Sequence, residues 1–175
     1  MSKDGGVQVI QVDITHVTAD AIVNAANAEL RPGGGVCGAI FRAAGMDKFT
    51  AACRAIGGCP TGSAALTPAF DIATARYIIH AVGPIYSHHT QREVRRLLRS
   101  AYASAIQLAF ENRCRTIAFP AISTGVYGYP LEEACKEAVD VCRAEAQRTG
   151  MAIKLVAFDR NTAACLHQHL VSAPL

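Results

Sequence analysis

The chain has 175 residues, 51% of them hydrophobic and 18% charged, which is enough for one well-buried domain and short for two. A net charge of +3 is too mild to demand nucleic acid as a partner, and apolar runs such as Tyr77 to Val82 and Ile117 to Phe119 are too short to span a bilayer. Seven cysteines, an odd number with no C-x-x-C pair, argue against a disulfide framework or a zinc site and fit a reducing compartment. Met1 to Gly6 lacks the apolar core of a signal peptide, so the expected location is cytoplasmic.

Val7 to Val12 alternates apolar and polar residues and reads as a strand ending at Asp13-Ile14-Thr15. There a carboxylate would sit at the strand tip, or serve as an Asx-turn or cap. Ala21 to Asn24 is a second strand, apolar enough to be buried on both faces. A glycine-rich loop follows. Then come a helix of small residues from Cys37 to Ala44, closed by Gly45, and another from Asp47 to Ile56, stopped by Gly57-Gly58. Gly62 to Thr67 reads as a short strand and Tyr77 to Val82 as a strong one. Residues 85 to 90 are loop, with His88 and His89 as an exposed pair.

Gln91 to Glu111 predicts a long amphipathic helix, with Leu97, Leu98, Ala101, Ala105, Leu108 and Ala109 on one side. Arg92, Arg95, Arg96 and Arg99 read as its solvated face in preference to an RNA patch. Arg115 to Phe119 is a buried strand. Leu131 to Arg148 is a helix begun by Pro130 at its first position and ended by Gly150. Cys135 and Cys142, seven apart on it, read as small buried hydrophobes. Ile153 to Phe158 is the last strand and Thr162 to Leu170 the closing helix. This alternation predicts a single α/β domain over 1–175, with its core at roughly 7–170. Its architecture is a three-layer α/β/α sandwich with helices on both sides of a mixed, largely parallel sheet. An antiparallel edge is expected from the N-terminal strands.

Two stretches stand out. Ile22-Val23-Asn24-Ala25-Ala26-Asn27 runs into Gly33-Gly34-Gly35-Val36-Cys37-Gly38, and Pro120-Ala121-Ile122-Ser123-Thr124-Gly125-Val126-Tyr127-Gly128 repeats the logic after a later strand. Glycines before a helix let the backbone approach a ligand, and the free N–H groups of the helix start favour an anion. Neither loop carries a Walker A Gly-Lys-Ser/Thr or the G-x-G-x-x-G fingerprint. Triphosphate hydrolysis and NAD redox chemistry therefore lack their usual machinery. A diphosphate between the two loops remains.

In this order, those stretches together with Asp13-Ile14-Thr15, Ala39-Ile40, Ala43-Ala44-Gly45 and His80-Ala81-Val82-Gly83-Pro84 resemble a macro domain, the ADP-ribose-binding fold, over roughly Val7 to Leu170. The resemblance implies that Asp13 accepts from the adenine amino group, that the Ile14 N–H meets a ring nitrogen, and that Phe158 packs on the base. It implies that Gly34, Gly35, Val36, Ser123, Thr124, Gly125, Val126 and Tyr127 hold the diphosphate. It places Asn27 and Tyr127 on the distal ribose. Asn24 is expected to brace the turn, and His80 to be a satisfied core histidine.

Cys37 stands where hydrolase-type members usually carry Asp, and in this it resembles the alphavirus members. A nucleophilic thiolate at a helix start is one reading, without an evident histidine partner. A side chain that merely lines the space is the other.

The expected function is hydrolysis of ADP-ribosyl esters, on Asp or Glu of proteins or in O-acetyl-ADP-ribose. Asn27, Tyr127 and Cys37 form the catalytic set, a substrate phosphate oxygen activates water, and no metal or cofactor takes part. The alternatives are a non-catalytic ADP-ribose reader and, third, a single-stranded nucleic-acid binder, for which aromatics are few and charge near balance. A monomer without membrane association is expected.

Overall fold

The computed structural model describes residues 6–172, so all of the N-terminal stretch read for a leader except Gly6 lies outside the described residues. In chain order the elements are β1 (Val7–Gln11), a 3-10 turn (Ile14–His16), β2 (Ala21–Ala26), α1 (Gly35–Ala44), α2 (Met46–Ile56), β3 (Ala64–Pro68), β4 (Tyr77–Val82), a 3-10 turn (Tyr86–His88), α3 (Gln91–Glu111), β5 (Thr116–Phe119), α4 (Leu131–Thr149), β6 (Ala152–Ala157) and α5 (Arg160–Ser172). The strands form one sheet in the order β1-β6-β5-β2-β4-β3. All neighbours are parallel except β3, which runs antiparallel to β4. The antiparallel edge is thus β3 alone, while β1 and β2 lie parallel to their partners.

Strand residues alternate between the two faces because the side-chain period is two. Ala21 and Val23 face a core with Leu98, Tyr102, Ile106, Val139 and Leu166, from α3, α4 and α5. Ile22, with Ile78 and Val156, faces a second core formed with Ile40 and Phe41 of α1 and Phe49 of α2. This is the three-layer arrangement. β2, at the centre, is buried on both faces from Ala21 to Asn24.

The long helix α3 lays Val94, Leu97, Leu98, Ala101, Tyr102, Ala105, Ile106 and Ala109 on the sheet, a stripe at three- and four-residue spacing. Thr90 caps it, accepting from the Glu93 N–H at 3.2 Å, a contribution of about 1 kcal/mol. Each large apolar side chain in the stripe adds about 1.5–3 kcal/mol, so packing outweighs the cap. Two of the four arginines are paired inward. Arg95 and Arg99 hold the buried Glu137 carboxylate of α4 at 2.9 and 2.6 Å.

Pro130 precedes α4 as its cap, with extended ψ of 129°, and is not the first helical residue. Gly150 ends the helix in the left-handed region at φ 74°. Cys135 and Cys142 are both buried, as their spacing predicts.

Candidate functional site

β2 and β5 are neighbours, yet their chains leave in opposite directions across the sheet. β2 leads through α1 and α2 to β3 and then β4, and β5 leads through α4 to β6 on the other side. Such a reversal opens a crevice at the carboxyl ends of the two strands. A cleft of about 720 Å³ lies there, lined by Asn27, Gly33 to Cys37, Gly83, Pro120 to Tyr127, Leu131 and residues 156–159, 161 and 162. The two glycine-bearing loops form its walls.

In the first loop the Asn27 side chain closes a turn on one residue. Its Oδ1 accepts from the Arg31 N–H at 2.9 Å, and its Nδ2 donates to the Arg31 carbonyl at 3.0 Å. A carboxamide has two lone pairs and two N–H bonds, so one of each remains for a ligand. The Gly38 N–H closes the first turn of α1 on the Gly34 carbonyl at 3.2 Å. The N–H groups of Gly35, Val36 and Cys37 therefore have no intrahelical acceptor.

Gly38 has no room for a side chain. A Cβ there would lie 2.5 Å from the Gly33 carbonyl oxygen and 3.1 Å from Arg42. Gly38 thereby lets the loop lie flat against the helix.

The second loop is fastened from below. Tyr102 of α3 accepts from the Ile122 N–H at 3.1 Å and donates to the Pro120 carbonyl at 3.3 Å. Ser123, at φ 69°, donates its hydroxyl to the Pro84 carbonyl at 2.8 Å. A Cβ on Gly83 would collide with Ser123 and Ile122, so this position requires glycine. The Tyr129 N–H returns to the Ser123 carbonyl at 2.9 Å. The N–H groups of Gly125, Val126 and Tyr127 have no acceptor among the described residues. Val126 is fully exposed and Tyr127 half-buried at the rim. Burial pushes the Tyr127 hydroxyl pKa upward, keeping the ring neutral.

Phe158 follows β6 and is 77% exposed on the cleft wall, so it is not ordinary core. Asp13 and Ile14 do not line the cleft. They follow β1 beside it, since the Val12 N–H donates to the Ala157 carbonyl at 3.0 Å, next to Phe158. Asp13 caps the 3-10 turn, its Oδ1 accepting from the Thr15 N–H at 2.9 Å and hydroxyl at 2.7 Å. These bonds hold its carboxyl below the ordinary value. The Ile14 side chain is core, and its N–H has no acceptor among the described residues.

Cys37 lines the cleft near the Gly33 Cα, 3.8 Å from the Arg31 carbonyl. Burial raises its pKa against the opposing hydrogen bonds from the Gly33 backbone and the Asn24 side chain, so at neutral pH it is a thiol. No histidine activates it. His80, wholly buried, sets Nδ1 against Asn24 at 3.1 Å and Nε2 against the Thr67 hydroxyl at 3.1 Å. Its burial depresses its pKa to about 4. Asn24 braces this buried pair and does not line the cleft.

Asn161 and Thr162 line the cleft without being marked as site residues by the sequence, beside Asp159, which the strand-end position of Phe158-Asp159 marks. Asp159 caps α5, accepting from the Thr162 N–H at 2.8 Å and hydroxyl at 3.0 Å. An Asp three residues before a Thr-Ala-Ala run was a readable helix-start signal.

The chain belongs to the macro domain family, whose model matches residues 23–138. It is 47% identical over 173 residues to an O-acetyl-ADP-ribose deacetylase of Klebsiella pneumoniae, covering 95% of this chain and 97% of that protein. The ADP-ribose glycohydrolase MACROD2 of Xenopus laevis is 51% identical over 127 residues, 73% of this chain and 30% of its own length. Among solved structures, an Oceanobacillus iheyensis macrodomain mutant with ADPR has a TM-score of 0.91 at 34% identity, covering 98% of this chain and 95% of that one.

Proposed function

We propose that this chain binds ADP-ribose in the cleft and hydrolyses ADP-ribosyl esters, releasing ADP-ribose. The substrates are mono-ADP-ribosylated Asp or Glu on proteins, or O-acetyl-ADP-ribose. The observation that carries this is the pair of facing loops with unpaired N–H groups, a diphosphate cradle set beside the remaining hydrogen-bonding capacity of Asn27. The names of the relatives at 47% and 51% identity support it.

In this reading the N–H groups of Gly35 and Val36, with those of Gly125, Val126 and Tyr127, hold the diphosphate beside Gly34, Ser123 and Thr124. Phe158 stacks on adenine, with Asp13 and the Ile14 N–H at its edge. Asn27 and Tyr127 orient the distal ribose. For an ADP-ribosylated Asp or Glu, water adds at the anomeric carbon as its bond to the carboxylate oxygen breaks. The carboxylate leaves, and the proton passes to a substrate phosphate oxygen. Positioning of this kind lowers a barrier by several kcal/mol without a protein base. Cys37, as a thiol, lines the space.

A non-catalytic reader is the second reading, and one observation favours it. The sole carboxylate among the lining residues, Asp159, has both oxygens engaged by Thr162. A single-turnover assay on a protein ADP-ribosylated at glutamate separates the two. Release of ADP-ribose supports the hydrolase, whereas tight calorimetric binding without release makes the chain a reader. Cys37→Ala is expected to keep turnover, and its loss would overturn the assignment of Cys37 as lining.

No helix among the described residues is long and apolar enough to cross a membrane. A single monomeric domain at work in the cytoplasm belongs to the same proposal.

A further inference from the structure

Beside the cleft, α4 and α5 bring together three side chains of different donor chemistry. Glu132 lies in the first turn of α4, and Cys165 and His169 lie one turn apart on α5. The Cys165 thiol donates to Glu132 Oε2 at 3.1 Å, and His169 Nε2 lies 2.8 Å from Glu132 Oε1. All three ligand atoms fall within 4.8 Å of one another.

We propose that Glu132, Cys165 and His169 bind a thiophilic divalent cation, zinc by preference. The donor set of one carboxylate oxygen, one imidazole nitrogen and one thiolate suits a tetrahedral ion of borderline softness. Bonds of about 2.0–2.3 Å put tetrahedral ligand atoms roughly 3.3–3.7 Å apart. The 2.8 and 3.1 Å contacts are made to the two different oxygens of Glu132, and with one ligand atom from each residue all separations lie within 4.8 Å, so rotation of the Glu132 carboxylate brings the set to that spacing. Glu132 is 66% exposed, so it moves freely, and the fourth position faces solvent.

On binding, the Cys165 S–H bond breaks, an S–metal bond forms, and the proton leaves to water. The ion replaces two weak polar contacts with three coordinate bonds. The sequence pattern gives no hint of this, because Glu132 and Cys165 are 33 positions apart and no C-x-x-C marks the site.

The ion ties the first turn of α4 to the middle and last turn of α5, two helices that each contribute to one wall of the cleft. Leu131, beside Glu132, and Thr162, one turn before Cys165, both line it. Metal binding therefore fastens that wall.

The test titrates Co²⁺ alone into the full, reduced, metal-stripped chain and follows thiolate-to-cobalt charge-transfer absorption. We expect saturation at one equivalent and displacement by Zn²⁺. Cys165→Ser is expected to abolish the band. His169→Ala is expected to weaken binding by more than the roughly 10–100-fold that loss of an outer-shell group costs.

On the wild-type chain, Zn²⁺ at about 100 times its Kd is expected to slow alkylation of Cys165 about 100-fold, because only the free thiol reacts. An absent band, a band that persists in Cys165→Ser, or an unchanged alkylation rate overturns the proposal. The alkylation measurement stands even where a variant fails to fold.

Discussion

Gly38→Ala is the most pointed test of how the first loop is shaped. The new Cβ would lie 2.5 Å from the Gly33 carbonyl oxygen, and real Cβ contacts essentially never fall below 3.0 Å, so loop or helix must move by about half an ångström. Overpacking of this kind costs about 1–3 kcal/mol, while alanine in place of glycine within a helix returns about 1 kcal/mol. Net stability therefore falls by about 0–2 kcal/mol.

Affinity suffers more. N–H to phosphate bonds work within about 2.7–3.2 Å and contribute about 1.5–3 kcal/mol each, so the loss of one costs roughly 10–100-fold in ADP-ribose affinity. Calorimetry measures that loss, and thermal melts measure the stability change. Pairing the substitution with Arg42→Ala identifies the cause. Arg42 is the other neighbour, at 3.1 Å, and its removal is not expected to restore affinity because the Gly33 carbonyl remains. An affinity within twofold of the parent would refute the account of Gly38.

Asp13→Asn preserves the oxygen that caps Thr15 but turns the second acceptor into a donor. It is expected to weaken ADP-ribose binding by about 1–3 kcal/mol with an unchanged melting temperature, and unchanged affinity would remove Asp13 from the adenine site. Phe158→Ala is expected to leave stability within about 0.5 kcal/mol, because the ring is exposed, while costing about 1–3 kcal/mol in binding through lost stacking on the base. His80 makes stability depend on pH. Its folded pKa of about 4 lies below the ordinary 6.5, so the unfolded chain binds the extra proton and stability falls as pH drops from about 6.5 towards 4. The loss approaches roughly 3 kcal/mol and is expected to vanish from the denaturation profile of His80→Gln.

Strands β2 and β4 and helix α3 were legible because their patterns are long and unambiguous. The central position of β2 follows from four consecutive buried residues, and the face of α3 from its apolar stripe. The two loops were legible as loops because glycine-rich segments after apolar strands admit few other readings. Tyr102 was not legible, because an aromatic within a helical stripe reads as core whether or not its hydroxyl anchors a loop 20 residues away. Phe158 illustrates the opposite limit. It directly follows the buried run Leu155 to Ala157, and the chain's turn into α5 is what brings it to the surface. The cap at Asp13 was legible as an Asx-turn, because it closes only two residues on, whereas the α4–α5 cluster depends on distances that no sequence spacing encodes.

The fastening of the second loop by Tyr102 gives the cleft one stiff jaw and one soft jaw. The stiff jaw is bolted through a fully buried phenol to the longest helix, and its motion is coupled to the core. The soft jaw, residues 31–35, is wholly exposed and hinged by one carboxamide clasp at Asn27. The clasp on the soft jaw belongs to Asn27, the residue proposed above to orient the distal ribose.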